Sequence, residues 1–201
     1  WARYLTDIEG MDVEMGRVLK FAKKKFGNNF IFLFTSDHGG QWPFGKWNLY
    51  DYGTRVPLQV YWPGKIKAGT RTDAMVSWVD LAPTILEFAN VLDGKGKLTP
   101  STEKSLGIAK IKGEQNGRAL APGKFHGRSF LSVLDQEKTN GWDQVNASHT
   151  FHEITMYYPM RVVRDRKYKL IWNIAHPLPF PFASDLWAAP SWKAQWEKGL
   201  S

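Results

Sequence analysis

The apolar positions near the start of the chain change their period abruptly. From Leu5 they fall at Ile8, Met11, Met15, Val18, Leu19, Ala22 and Phe26. That is close to one stripe of a period of about 3.6 residues, and Gly27 closes it. The pattern predicts an amphipathic helix over Ala2 to Phe26. Phe30-Ile31-Phe32-Leu33-Phe34 then runs unbroken, the signature of a strand buried on both faces, which implies a parallel sheet sandwiched by helices. It stops in the polar, Gly-rich Thr35-Ser36-Asp37-His38-Gly39-Gly40.

A Gly- and aromatic-rich loop leads to Val56–Trp62, which reads as a second strand stopped by Pro63-Gly64. Asp80 to Ala89 reads as a helix with Pro83 in its first turn. Helix, strand, loop, strand, helix is the grammar of a layered α/β fold. Between Asp93 and Lys124 the chain is rich in Lys, Gly, Ser and Thr and poor in large apolar residues, so a surface insertion is expected. Beyond it the pattern predicts a short helix at Ser129–Leu134 and a strand at Phe151–Met156. Arg161–Arg164 and Tyr168–Trp172 flank the turn-like Asp165-Arg166-Lys167, as in an antiparallel hairpin. The expected organisation is therefore residues 1–92 as an α/β part, 93–124 as an insertion and 125–201 as a smaller α+β region. Pro177 to Trp196 shows little periodicity and is expected to pack over a neighbour.

Composition narrows the partners. The 201 residues carry 43% hydrophobic side chains, enough for a buried core, and a net charge of +8. A basic chain suits a polyanion: nucleic acid, anionic lipid or a sulfated glycan. No nucleic-acid module motif is present, and Lys, Arg, Asp or Pro interrupts every apolar segment before it reaches the roughly 18 residues of a membrane span. With zero Cys there is no disulfide framework, thiolate ligand or cysteine nucleophile. The chain begins at Trp1, so a targeting segment is expected to have been removed or to lie upstream.

Candidate chemistry sits where the first strand ends, because ligands in open α/β sheets gather at the carboxyl ends of strands. Asp37 and His38 side by side suit a divalent cation, a carboxylate supplying charge and an imidazole a nitrogen. A turn cap and a surface histidine account for the same pair. Lys46 lies in a loop able to fold back over that strand end, where its ammonium would hold an anion; a solvated lysine is the alternative.

These segments, taken in order, resemble a known family. Thr35-Ser36-Asp37-His38-Gly39, Gly45-Lys46-Trp47-Asn48-Leu49-Tyr50, Arg55-Val56-Pro57-Leu58, Trp62-Pro63-Gly64 and Val79–Leu86 resemble the second half of the sulfatase catalytic domain. Ser148–Arg161 and Pro179-Phe180-Pro181-Phe182 resemble the sulfamidase branch, the N-sulfoglucosamine sulfohydrolases acting on heparan-type glycans. The resemblance implies part of an alkaline-phosphatase-like sandwiched sheet followed by the smaller α+β region. It implies that Asp37 and His38 face a calcium ion and that Lys46 binds the sulfate group, at a place where sulfamidases carry Arg. His152, Glu153 and Arg161 would hydrogen-bond the glucosamine ring or a neighbouring acidic sugar. A surface pairing of Glu153 with Arg161 is the alternative. Arg55 and Asp80 recur in the pattern, with structural work expected of both: a loop-steering Arg and a helix-capping Asp.

In that family the nucleophile is a formylglycine made from Cys or Ser in the amino-terminal half, which this chain does not contain. The resemblance therefore implies a sulfate ester or sulfamate hydrolase as the full-length protein, inactive as this fragment, with the missing amino-terminal half as partner. A periplasmic, secreted or lysosomal location goes with it. Two alternatives remain: a phosphatase or phosphodiesterase fragment of the alkaline phosphatase superfamily, and a non-catalytic module that binds polyanionic glycans.

Overall fold

The computed structural model describes residues 2–42, 44–106, 125–152, 156–181 and 183–199. The first helix, α1 (Ala2–Phe26), has the bounds its periodicity predicts, and Gly27 ends it at a φ of 60° while donating its amide to the Lys23 carbonyl. Much of its apolar stripe is uncovered among the described residues, although Met15, Leu19 and Ala22 are half-buried. Leu5, Ile8, Met11, Val18 and Phe26 are exposed, and Tyr4 touches the rest of the fold edge-to-face on Trp42.

The apolar run yields β1 (Phe32–Thr35), and the short helix α2 (Asp51–Thr54) precedes β2 (Leu58–Tyr61). Here the expectation of a parallel sheet needs correction. β1 pairs with β2 antiparallel, Phe32 opposite Tyr61 and Thr35 opposite Leu58, and its residues are half-buried. An apolar run signals burial but not direction; the loop between the strands brings the chain straight back.

A 3-10 turn at Trp78–Asp80 leads into α3 (Leu81–Phe88). Asp80 does not cap α3 as the sequence suggests. Its buried carboxylate reaches back to the Ser77 amide and across to the Arg128 amide, both at 2.8 Å, and so ties the later chain to this turn. The first part of the Lys-rich segment is more ordered than expected, with a bridge between Leu92 and Leu98 and a helix, α4 (Pro100–Leu106). Residues 107–124 of that segment lie outside the described ones. The helix expected at Ser129–Leu134 is a 3-10 turn over Leu131–Val133.

The later part is a three-stranded antiparallel sheet of β3 (Gln144–His152), β4 (Met156–Asp165) and β5 (Lys169–Asn173), in that spatial order. The hairpin predicted around Asp165–Lys167 joins β4 to β5, and the Asp165 carboxylate accepts the Lys167 and Tyr168 amides. The strand expected at Phe151–Met156 is corrected at its two ends: His152 ends β3 and stands opposite Met156, which starts the antiparallel β4, and residues 153–155 of that span lie outside the described ones. No Gly or Pro lies between the two strands in the sequence, which is why the pattern reads as one strand. Two short helices close the chain, α5 (Ser184–Ala188) and α6 (Pro190–Glu197).

Three buried clusters bind early chain to late chain. Phe130, Val133 and Trp142 pack with Leu33, Leu58 and Val60 of the first sheet. Leu49 packs among Tyr158, Met160, Val162 and Ala175, and Trp47 among Met156 and Ala183. The loop carrying Lys46 is thus seated on the second sheet rather than left over solvent.

Candidate functional site

The end of β1 is drawn tight by glycine. A Cβ on Gly39 would collide with the Tyr52 carbonyl, and the Gly39 amide donates to the Gly53 carbonyl at 3.0 Å. Next to it, the Trp78 indole donates to the Asp37 carbonyl at 3.0 Å and the Ser36 hydroxyl to the His38 carbonyl at 2.8 Å. These contacts fix the backbone and leave the Asp37 side chain projecting, 82% exposed.

Asp37 therefore presents an exposed carboxylate of a kind suited to a hard cation, although its Oδ1 already accepts the His38 amide at 2.9 Å. His38 fits less directly, since Nδ1 lies 2.9 Å from the Gly39 carbonyl and Nε2 lies 3.4 Å from the Asp37 carboxylate. Its ring is engaged by its own loop and would have to turn to meet a metal. Among the described residues no group of three or more His, Asp or Glu side chains is gathered to hold a metal ion. The chemistry of the pair fits part of a calcium shell, with Asp37 as the donor placed for it.

The loop does fold back as expected. The Gly40 carbonyl accepts both the Trp42 amide at 2.8 Å and the Lys46 amide at 2.9 Å. Trp47 then adopts a φ of 72°, a left-handed conformation that costs a bulky residue on the order of 1–3 kcal/mol. Burial against Met156 and Ala183 offsets that cost and turns Lys46 inward.

There Lys46 meets a partner that the sequence reading missed. Its Nζ lies 2.6 Å from Oδ2 of Asp185 on α5 and 5.2 Å from the centre of the Trp47 ring. His152 Nε2 approaches the same Asp185 oxygen at 3.5 Å, and its ring meets Trp47 edge-on at 6.1 Å. The hydrogen bond from Lys46 outweighs the cost of burial and holds the Asp185 carboxyl down to about 2. An ammonium, a carboxylate and an imidazole thus meet over one indole, and the lysine keeps donors to spare.

The structure brings Lys46 and His152 together through Asp185, and leaves Arg161 apart. Arg161 lies on the exposed side of β4, its guanidinium on the His149 and Met160 carbonyls. It stands five residues, about 16 Å of strand, from the Met156 that faces His152. Glu153 lies outside the described residues. Of the loop aromatics, Trp47 is buried, whereas Phe44, Tyr50 and Tyr52 are exposed. Nothing local could have revealed Asp185, which is 139 positions from Lys46.

The loop has a second fastening. Asp51, on α2, accepts Arg164 at 2.9 Å and Lys169 at 3.0 Å. Burial alone would raise its pKa, but the Lys169 hydrogen bond and the nearby Lys169, Arg164 and Arg55 charges lower it.

The sequence that carries these residues has relatives among known proteins. Residues 1–91 match the sulfatase family model. Human N-sulphoglucosamine sulphohydrolase is 32% identical over 194 residues, which is 96% of this chain and 34% of the relative. An ulvan-active sulfatase of Formosa agariphila is 27% identical over 174 residues, 86% of this chain and 29% of the relative. An arylsulfatase of Clostridium perfringens is 27% identical over 181 residues, 85% of this chain and 31% of the relative. The chain belongs to the sulfatase family, with sulfamidase-like character. It spans about a third of the length of these curated relatives.

Proposed function

We propose that the complete protein carrying this chain hydrolyses sulfate esters or sulfamates, with N-sulfoglucosamine of heparan-type glycans as substrate. The observation that carries the reading is the similarity to the human N-sulphoglucosamine sulphohydrolase along 96% of the chain, through both Lys46 and His152. In this reading residues 1–92 complete the catalytic α/β domain, 93–124 form a surface insertion and 125–201 dock as a smaller subdomain. The nucleophile, a formylglycine, belongs to the amino-terminal half of the protein, and this chain alone is inactive.

Each residue has a role. Asp37, with His38 after a turn of its ring, would hold a calcium ion, which supplies positive charge against the sulfate oxygens. Lys46 donates to the sulfate group, and its seat against Trp47, 15% exposed, keeps water from competing. His152, which shares the Asp185 carboxylate with Lys46, would hydrogen-bond a sugar hydroxyl next to the sulfated position, with Glu153 adjoining it in sequence. Arg161 lies farther out and would meet a neighbouring acidic sugar. The net charge of +8 favours a polyanionic chain over a small ester. A periplasmic, secreted or lysosomal location accords with such a substrate. Among the described residues no helix is long and apolar enough to cross a membrane.

The test is the complete protein with calcium, offered N-sulfated, 6-O-sulfated and phosphorylated monosaccharides. Sulfate release from the N-sulfated sugar is expected, and Lys46→Ala should lower kcat/KM by about a hundredfold. Phosphate release without sulfate release would make it a phosphatase. Retention on heparin with no turnover would make it a glycan-binding module.

A further inference from the structure

Lysine is a poor fixed point, because its ammonium rides on a flexible four-carbon stem. At this site two contacts and partial burial remove that freedom. Asp185 takes Nζ at 2.6 Å, the Trp47 ring supports the same ammonium at 5.2 Å, and both Lys46 and Asp185 are largely shielded from water at 15% and 23% exposure. Ala183, two residues before Asp185, is buried against Trp47 and Met156, so α5 is anchored where it delivers the carboxylate. His152 converges on the same oxygen from the end of β3.

We propose that Asp185 is a positioning residue for the sulfate-binding lysine, aiming the ammonium of Lys46 and holding His152 in register with it. The carboxylate consumes one of the lysine's three donors and fixes the direction of the remaining two, which are left for the anion. The pair together is nearly neutral, so it selects by geometry; the bulk positive charge of the protein supplies the attraction. In this arrangement α5 is a wall of the substrate site although it lies in the last stretch of the chain. The inference rests on the reading of Lys46 as the sulfate contact.

The experiment uses the complete protein with calcium and an N-sulfated glucosamine substrate, and compares Lys46→Met, Asp185→Asn, Asp185→Glu and the Lys46→Met/Asp185→Asn double variant. Asp185→Asn should raise KM about tenfold, equivalent to ~1.4 kcal/mol, with a smaller change in kcat. Asp185→Glu should fall between Asn and the natural residue. In the Lys46→Met background the Asn substitution should add nothing, since the group it positions is gone. An unchanged or lowered KM for Asp185→Asn, or losses that add in the double variant, would overturn the inference while leaving Lys46 as the sulfate contact. Natural kinetics for Lys46→Met would remove the reading beneath it. Should Asp185→Asn fail to fold, Asp185→Ser also removes the charge and reads the same KM.

Discussion

Replacing Thr84 by valine keeps its shape and adds hydrophobicity, yet should destabilise the protein. Thr84 is 0% exposed, and its hydroxyl does two things at once. It donates to the Asp80 carbonyl at 2.6 Å and accepts the Phe130 amide at 3.1 Å, joining α3 to the turn that carries the Phe130 cluster. Phe130 is 1% exposed, so its amide has no water to turn to. Valine would strand that N–H at a cost of about 1–3 kcal/mol. Thr84→Ser keeps both hydrogen bonds and loses one methyl group, about 1 kcal/mol. Urea unfolding should rank the natural residue first, serine second and valine last, with unchanged m-values. Near 2 kcal/mol, valine should lower Tm by about 4–8 °C for a chain of this size. A valine variant as stable as the natural protein, or more stable than serine, would show that burial rather than the hydroxyl sets this site.

Asp185 should leave an acid signature. Its folded pKa lies below the ordinary 3.8, so its pair with Lys46 stabilises fully above pH 3.8 and is lost as pH falls toward about 2. The Tm difference between the natural protein and Asp185→Asn should shrink over that window; a constant difference would deny the pairing. Gly39→Ala places a methyl group on the Tyr52 carbonyl and should displace the turn holding Asp37 and His38, lowering calcium affinity in the complete protein as read by titration calorimetry. Arg166 bridges Asp73, Asp143 and the Thr139 carbonyl. Both Arg166→Ala and Arg166→Lys should lower Tm in thermal scans, because an ammonium cannot span two carboxylates and a carbonyl as a guanidinium fork does. Full rescue by lysine would argue that charge alone suffices.

How much of this was legible beforehand depends on the range of the interaction. The periodicity of Leu5 to Phe26 is local, and the helix it predicts has the observed bounds. The β4–β5 hairpin is equally local, since Asp165 itself caps the turn. Strand direction is not local: Phe30–Phe34 told of burial, while the antiparallel partner was chosen by the route of the loop that follows. The site divides likewise. Asp37, His38 and Lys46 could be picked out because they follow soon after the end of β1 in sequence and match a family pattern. Asp185 sits in a segment without periodicity, and its place beside Lys46 depends on the packing of neighbouring Ala183 against Met156 and against Trp47, far back in the chain. Asp80 was recognised as structural, but its grip on Arg128 spans too much chain to be read from a capping motif.

The Lys46–Asp185 pair also dictates an order of events. During synthesis the lysine emerges long before its counter-charge, with 139 positions of chain between them. Until α5 follows, the loop can close on neither the carboxylate nor Ala183, and a pairing so distant in sequence is slow to find. The seat of Lys46 therefore sets only after α5 has been made, and a ribosome stalled shortly before Asp185 would hold a chain whose strands could pair while its lysine still swung free.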